Sequence, residues 1–211
     1  MLIRICLLIF FIGCSLSENI AQADNISWSS VRLRHQLSDK TRVDLRPIVR
    51  HNQDFSNYQN TSIDVAIHHK LPKNWFIQFL SRTWFLPDSP EGQFLWGDVG
   101  HQWKHEKFTL TNRVRLHISL NINEINPADW IRYQTVITPK VPWKVKPFLS
   151  IEPWWQLGSA QEFRRIRYEP GVNYKLADKF NLTVMYRRQD TLNIDPSNDQ
   201  NHYVITLTYN I

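Results

Sequence analysis

The sequence predicts an all-β protein: an antiparallel transmembrane β-barrel of about 10–12 strands that follows a cleaved N-terminal signal peptide. Three observations support this fold class. Apolar and polar residues alternate along nearly the whole chain, aromatic residues gather at segment ends, and the first two dozen residues resemble an export signal. Alternation with period two is typical of strands with two unlike faces. A closed barrel pairs every strand and leaves no open edge.

The closing segment alternates without a break to the final residue. Thr206, Thr208 and Asn210 are polar, whereas the odd positions are large and apolar, namely Tyr203, Ile205, Leu207, Tyr209 and Ile211. A soluble domain rarely ends on an exposed, uncharged strand, because an open edge invites aggregation. We therefore expect this strand to close the barrel, to turn its apolar face to lipid, and to be read by the barrel assembly machinery.

The N-terminus has the pattern of a secretory signal peptide. Arg4 precedes a short apolar run, and the small-residue pattern Ala21-Gln22-Ala23 precedes Asp24. This arrangement predicts a signal peptide over 1–23 and a barrel domain over 24–211. The apolar run is too short for a membrane-spanning helix.

Both cysteines lie inside this predicted signal. Cys14 ends the stretch Phe11-Ile12-Gly13-Cys14, which resembles a lipoprotein cleavage box, so lipidation of Cys14 is the alternative to simple cleavage. In either case the domain is expected to have no disulfide framework and no thiolate metal site.

Composition narrows the class of protein further. No run of 18 apolar residues follows the predicted signal, which excludes transmembrane helices. Nine Trp, eleven Phe and seven Tyr favour the aromatic girdles of a membrane wall, with Trp84, Trp130 and Trp154 among the candidates. A soluble β-sandwich with an aromatic core is the alternative. The net charge of +6 would suit nucleic acid, but export argues against that partner.

Eleven strand-like segments can be recognised, with tight and longer connections alternating as in outer-membrane barrels. They are 26–37, 41–50, 61–71, 74–85, 93–104, 107–118, 129–139, 143–155, 162–176, 179–189 and 201–211. A barrel with both chain ends in the periplasm needs an even number of strands. The count therefore predicts ten strands, with 26–37 outside the wall, or twelve, with one segment missed; twelve is favoured.

Basic residues dominate the face opposite the apolar one. Alternation places eleven arginines inside the barrel: Arg32, Arg34, Arg46, Arg50, Arg82, Arg113, Arg115, Arg132, Arg165, Arg167 and Arg187. Five lysines are expected beside them, namely Lys70, Lys104, Lys144, Lys146 and Lys175, against five carboxylates, namely Asp44, Asp64, Asp98, Glu152 and Glu169. Two interpretations stay open. In the first, arginine–carboxylate pairs fill and close a narrow lumen; in the second, the excess of positive charge attracts an anion.

A search for chemistry gives one enzymatic alternative. His117 and Ser119 lie near one strand end with Glu124 in the next loop, which allows a lipid-modifying enzyme of the lipid A deacylase or phospholipase type. A histidine and a serine two residues apart share a face without establishing a nucleophile–base hydrogen bond. His101 and His105 straddle a tight turn and do not form a helical metal pair. We expect no catalytic residues, no metal and no cofactor.

The chain resembles the bacterial domain-of-unknown-function 2490 family. The resemblance rests on a first strand that opens with a tryptophan (Trp28, followed by Leu33 and Leu37-Ser38-Asp39-Lys40) and on arginines at the end of the second strand (Arg46 and Arg50). It also rests on the pattern of the closing strands, over 165–176, 182–187 and 201–211. It implies an outer-membrane barrel and supplies no activity. The chain ends in Ile211 where phenylalanine is commonest, although Tyr209 keeps an aromatic ring two residues earlier.

These observations together predict an outer-membrane β-barrel protein with a narrow basic lumen, serving a structural role or the passage of anions and small solutes. The expected partners are outer-membrane lipid, lipopolysaccharide and the barrel assembly machinery. The sequence leaves the oligomeric state open.

Overall fold

The computed structural model describes residues 24–52, 57–86, 92–120, 129–157, 162–193 and 199–211. Eleven strands are formed by these residues: β1 (Asp24–Gln36), β2 (Thr41–Asn52), β3 (Asn57–Lys70), β4 (Trp75–Phe85), β5 (Gly92–Lys104), β6 (Phe108–Ser119), β7 (Trp130–Pro139), β8 (Val145–Gln156), β9 (Phe163–Lys175), β10 (Phe180–Thr191) and β11 (Gln200–Asn210). They form one closed barrel. The predicted all-β barrel is confirmed. The predicted signal peptide, with Cys6 and Cys14, lies outside the described residues.

Each strand corresponds to one of the eleven segments recognised from alternation. Consecutive strands pair antiparallel. The connections alternate in length with one exception: the segments 41–50 and 61–71 implied ten residues between β2 and β3, whereas only 53–56 separate these strands. One end of the barrel carries the five tight turns; the other, which we call the long-loop end, carries the β2–β3 connection and the four longer ones. The turn between β3 and β4 is a single 3-10 turn over Pro72–Asn74, where Lys73 and Asn74 adopt positive φ angles of 56° and 62°. Two such residues in succession suit a tight hairpin.

The barrel closes through a parallel pair, which we call the seam. β1 runs beside β11 in the same direction, from Asp24 opposite Gln200 to Arg34 opposite Asn210. When successive strands alternate in direction, the first and last strands of an odd-numbered barrel run the same way. Such a barrel can therefore close only through a parallel pair. The preference for twelve strands was therefore wrong, and 26–37 belongs to the wall.

The outer and inner faces follow the alternation of the sequence. Val65, Phe79 and Ile205 are exposed on the outside, and so are the rings of Trp75, Trp103, Trp143 and Trp155. On the closing strand, Tyr203, Ile205 and Ile211 are exposed and Leu207 and Tyr209 are half-buried, whereas the intervening Val204, Thr206 and Thr208 are buried. No helix among the described residues is long and apolar enough to span a membrane.

Two outward-facing polar residues have partners on neighbouring strands. The Asn112 Oδ1 atom accepts hydrogen bonds from the hydroxyl groups of Tyr133 and Thr135, at 3.1 and 3.0 Å. The Nδ1 atom of His69 lies 2.8 Å from the hydroxyl oxygen of Thr41. These contacts satisfy side chains that interrupt the apolar pattern of the outer face.

Candidate functional site

The interior holds a cavity of about 930 Å³ that all eleven strands line. All eleven arginines predicted from alternation line it: Arg32, Arg34, Arg46, Arg50, Arg82, Arg113, Arg115, Arg132, Arg165, Arg167 and Arg187. Arg42 lines it too and was not among the predicted arginines, although it has the same parity on β2 as Asp44 and Arg46. The five lysines expected inside, namely Lys70, Lys104, Lys144, Lys146 and Lys175, are instead exposed at strand ends beside the tight turns.

Ion pairs join neighbouring strands on the inner face of the barrel. Asp64 on β3 lies opposite Arg46 on one side and Arg82 on the other, and it binds both. Arg82 donates two hydrogen bonds to its carboxylate, at 2.5 and 2.9 Å. Asp98 receives a bidentate pair from Arg115, at 2.6 and 2.7 Å. Such forked pairs are the stronger and more geometrically defined class of ion pair.

Glu152 is the most heavily coordinated carboxylate. It accepts hydrogen bonds from Arg132 at 2.6 Å and from Arg113 at 3.2 Å, and the Arg167 guanidinium lies 3.7 Å away. The indole N–H of Trp154 donates a further bond at 3.0 Å. Only 1% of Glu152 is exposed. Its carboxylate therefore ties together arginines from three strands.

Two further carboxylates complete the paired set. Glu169 accepts a bond from Arg187 at 2.6 Å and another from the Ser150 hydroxyl at 3.0 Å. Nearer the tight turns, Asp44 accepts two bonds from Arg34, both at 2.9 Å, while Arg32 and Arg42 lie 3.9 Å from it. Each of the five inward carboxylates is thus bound by at least one arginine.

Toward the long-loop end, tryptophan rings separate the arginines. The Arg132 guanidinium carbon lies 3.8 Å from the centre of the Trp154 ring, and that of Arg167 lies 3.9 Å from the same ring. Arg82 and Arg115 each lie 4.6 Å from the centre of Trp96. Cation–π contacts of this kind are favourable when water is excluded. We call this layer of alternating rings and guanidinium groups the Trp–Arg layer.

The Trp–Arg layer corrects one expectation from the sequence. Trp84, Trp130 and Trp154 were assigned to the aromatic girdles, but all three line the cavity, as do Trp28 and Trp96. The signal was present in the alternation, because Trp154 and Trp155 are neighbours and only one of them can face outward. Trp155 is the exposed member of that pair.

Positive charge exceeds negative charge in this interior. Twelve arginines line the cavity, and five carboxylates lie among them when the buried Asp98 is included. Among the described residues, Arg50 and Arg165 have no ion pair with a carboxylate, and both stack on tryptophan instead. Arg50 lies 3.6 Å from the Trp28 ring centre and 4.4 Å from that of Trp84.

On the residues that line the cavity, the buried atoms that lack a hydrogen-bond partner are nitrogens with one exception. Within the described part of the chain, those on cavity-lining residues are Nε1 of Trp28, Trp84 and Trp96, Nε of Arg42, Arg50, Arg113, Arg132 and Arg165, Nη1 of Arg187, and both ring nitrogens of His117 and His202. The one oxygen is Oε1 of Gln59. The Trp and Arg nitrogens are donors, and each imidazole has at least one donor nitrogen. Unpaired buried donors are rare and call for an acceptor. The lumen can therefore accept a ligand rich in hydrogen-bond acceptors.

The enzymatic alternative gains no support from the described residues. His117 is surrounded by the rings of Phe94, Trp96 and Trp154, and neither of its nitrogens has a hydrogen-bond partner. Ser119 Oγ also lacks a partner, so no Ser–His bond forms there. Glu124 lies outside the described residues. In the described part of the chain, no three His, Cys, Asp or Glu side chains gather as metal ligands.

A comparison with protein-family models matched this chain. The model of a family described as "Protein of unknown function (DUF2490)" matches residues 25–201. No curated protein matches this chain. The matched range runs from β1 to the start of β11 and includes all twelve arginines that line the cavity. The predicted resemblance is confirmed, and the chain belongs to the DUF2490 family.

Proposed function

We propose that this protein is a β-barrel of the bacterial outer membrane whose narrow basic lumen admits small anions and lets them pass. The observation that carries the proposal is the excess of arginine over carboxylate among the side chains facing the interior. The proposal assigns the barrel no catalytic role and no cofactor. Its partners are outer-membrane lipid, lipopolysaccharide and the barrel assembly machinery.

The carboxylates do not neutralise all the arginines of the lumen. Each guanidinium stays charged at any physiological pH. An uncompensated charge in a water-poor interior is unfavourable, and a lumen lined by one sign of charge raises the local concentration of ions of the opposite sign. Small anions that enter from solvent therefore stabilise this lumen, whereas cations are repelled from it.

The outer face supports the membrane part of the proposal. Strands of 10 to 14 residues are long enough to cross the hydrocarbon layer when tilted. Exposed apolar side chains occur all around the wall, including Val31, Val65, Val99, Val114, Leu149 and Ile205. In water such a continuous apolar surface would promote association, whereas lipid would cover it.

A pair of arginine substitutions on β10 tests which face meets lipid. Val184 is exposed on the outer wall, while the preceding Thr183 lines the cavity and donates a 2.7 Å hydrogen bond to Asn173. We expect Val184→Arg to lower the free energy of unfolding in lipid vesicles by about 2–4 kcal/mol, because a guanidinium would lie in hydrocarbon. Thr183→Arg should lower it by about 0.5–1.5 kcal/mol, the contribution of one hydrogen bond. Urea titrations followed by tryptophan fluorescence compare the two, and equal losses would mean that the outer wall does not meet lipid.

Single-channel recording tests passage. In planar bilayers with a KCl gradient, we expect the wild-type protein to give currents whose reversal potential indicates anion preference. Arg165→Glu should shift the reversal potential toward cations, because it inverts a cavity charge that has no ion pair. Lys40→Glu makes the same charge change in an exposed tight turn and should shift it less. No current, or a cation-preferring current in the wild type, would contradict anion passage.

A further inference from the structure

The seam places three nitrogen-bearing side chains, those of Arg50, Arg187 and His202, around Trp28. In the parallel register, Ile26 lies opposite His202 and Trp28 opposite Val204, so Trp28 and His202 are diagonal neighbours on the inner face. On the other side of Trp28, Arg50 is its direct partner on β2. Arg187 on β10 lies opposite His202.

The distances show a compact group. The Trp28 and His202 rings meet edge to face, with centres 5.4 Å apart. The guanidinium carbons of Arg50 and Arg187 lie 3.6 and 4.7 Å from the centre of the Trp28 ring. Both guanidinium carbons therefore lie within 5 Å of one ring centre and within about 8.3 Å of each other.

All four side chains line the cavity and carry nitrogens without a partner. These nitrogens are Nε of Arg50, Nη1 of Arg187, Nε1 of Trp28 and both ring nitrogens of His202. Arg50, Trp28 and His202 are 6%, 9% and 3% exposed. Stacking on Trp28 and Trp84 occupies the flat faces of the Arg50 guanidinium, so its donors along the edge stay available.

We propose that Trp28, Arg50, Arg187 and His202 form a binding site for a phosphate-type oxyanion. The inference names the ligand class of the anion-admitting lumen and so rests on that proposed function, but it requires neither membrane insertion nor conductance. Guanidinium groups bind phosphate through forked hydrogen bonds. Donors reach this group from β1, β2, β10 and β11, and a tetrahedral anion can accept from several directions at once. Chloride has no such directional acceptors.

Titration of the folded barrel with inorganic phosphate tests the site. The protein is purified in detergent, its folded state is checked by heat-modifiable gel migration, and phosphate is added by calorimetry at constant ionic strength with chloride as the balancing anion. We expect saturable binding to the wild type. Arg50→Gln should weaken it about 10–100-fold, since it removes hydrogen bonds from a charged donor.

Two further variants make the test specific. Trp28→Phe keeps a ring under the guanidinium groups but removes the indole N–H, and it should weaken binding about 2–10-fold. Arg188→Gln, one residue beyond Arg187 on the opposite face, removes an arginine that pairs outside the lumen with Asp190 and Asp199. It should leave phosphate affinity unchanged.

The outcomes separate this site from the proposed function. Absence of saturable phosphate binding, equal weakening by Arg188→Gln and Arg50→Gln, or unchanged affinity in Trp28→Phe would each overturn the site, even if the barrel conducts anions. If Arg50→Gln fails to fold, Trp28→Phe decides the question alone. Phosphate binding with the predicted pattern and no conductance would support the site while contradicting passage.

Discussion

Replacing Glu152 with glutamine is expected to lower the free energy of unfolding by about 3–5 kcal/mol, the range for breaking a buried ion pair from one side. The carboxylate is almost fully buried, and Arg113, Arg132 and Arg167 surround it. Glutamine keeps the shape but removes the charge, so three guanidinium groups would face one another without their common counter-ion. Few positions in the barrel combine such burial with so many partners.

Chemical denaturation in detergent, followed by tryptophan fluorescence, measures this effect. Asp178→Asn is the matched control, since it also removes a carboxylate that pairs with a basic residue, Lys175. A hydrogen bond from Lys175 lowers the pKa of Asp178, but both side chains are in solvent, where such pairs contribute little. The control should leave the denaturation midpoint unchanged. A Glu152→Gln midpoint as high as that of the control would mean that the lumen does not depend on this ion-pair network.

Deleting Tyr209 to Ile211 is expected to prevent assembly of the barrel. These residues end the seam: the Ile211 N–H donates to the Arg34 carbonyl at 2.8 Å, and the Asn210 N–H donates to the Lys179 carbonyl at 2.9 Å. Tyr209 also packs on Phe180, with ring centres 4.8 Å apart. Their loss leaves backbone groups of β1 and β10 unpaired at the tight-turn end and removes the terminus that assembly would read.

Cell fractionation measures this second effect. We expect the truncated chain to be nearly absent from the outer membrane and to be degraded. Ile211→Ala is the control, because it keeps the backbone bond to Arg34 and removes only a side chain; it should reach normal levels. Truncated protein at wild-type levels in the outer membrane would show that the end of β11 is not needed for closure.

Much of the wall could be predicted from the sequence because strands have a period of two. Alternation located all eleven strands and sorted Arg113, Arg115 and His117 onto the face opposite Val114 and Leu116. The strand number failed for a different reason. The eleven segments were counted, but an even number was imposed on them by assuming that both chain ends lie on one side. Nothing local in β1 or β11 signals that they pair in parallel.

The site was less predictable than the wall. The alternation of residues predicts which face of a strand an arginine lies on. Its partner on the neighbouring strand depends on the register of the two strands, which alternation does not fix. The seam contact between Trp28 and His202, which are far apart in sequence, could not be inferred in this way. Trp84 and Trp130 were misassigned because tryptophan at a strand end suits both a membrane interface and a lumen stacked with arginine.

The parallel seam also places the first and last residues of the barrel at opposite ends, which constrains circular permutation. Asp24 begins β1 at the long-loop end, whereas Ile211 follows β11 at the tight-turn end. A circular permutant joining them would need a linker of at least about ten extended residues, laid along the outer wall or threaded through the lumen, because the strand rises only about 3.3 Å per residue. In an even-stranded barrel a short turn would suffice. Epitope tags placed before Asp24 and after Ile211 would accordingly lie on opposite sides of the barrel. Their accessibility would show directly that the strand number is odd.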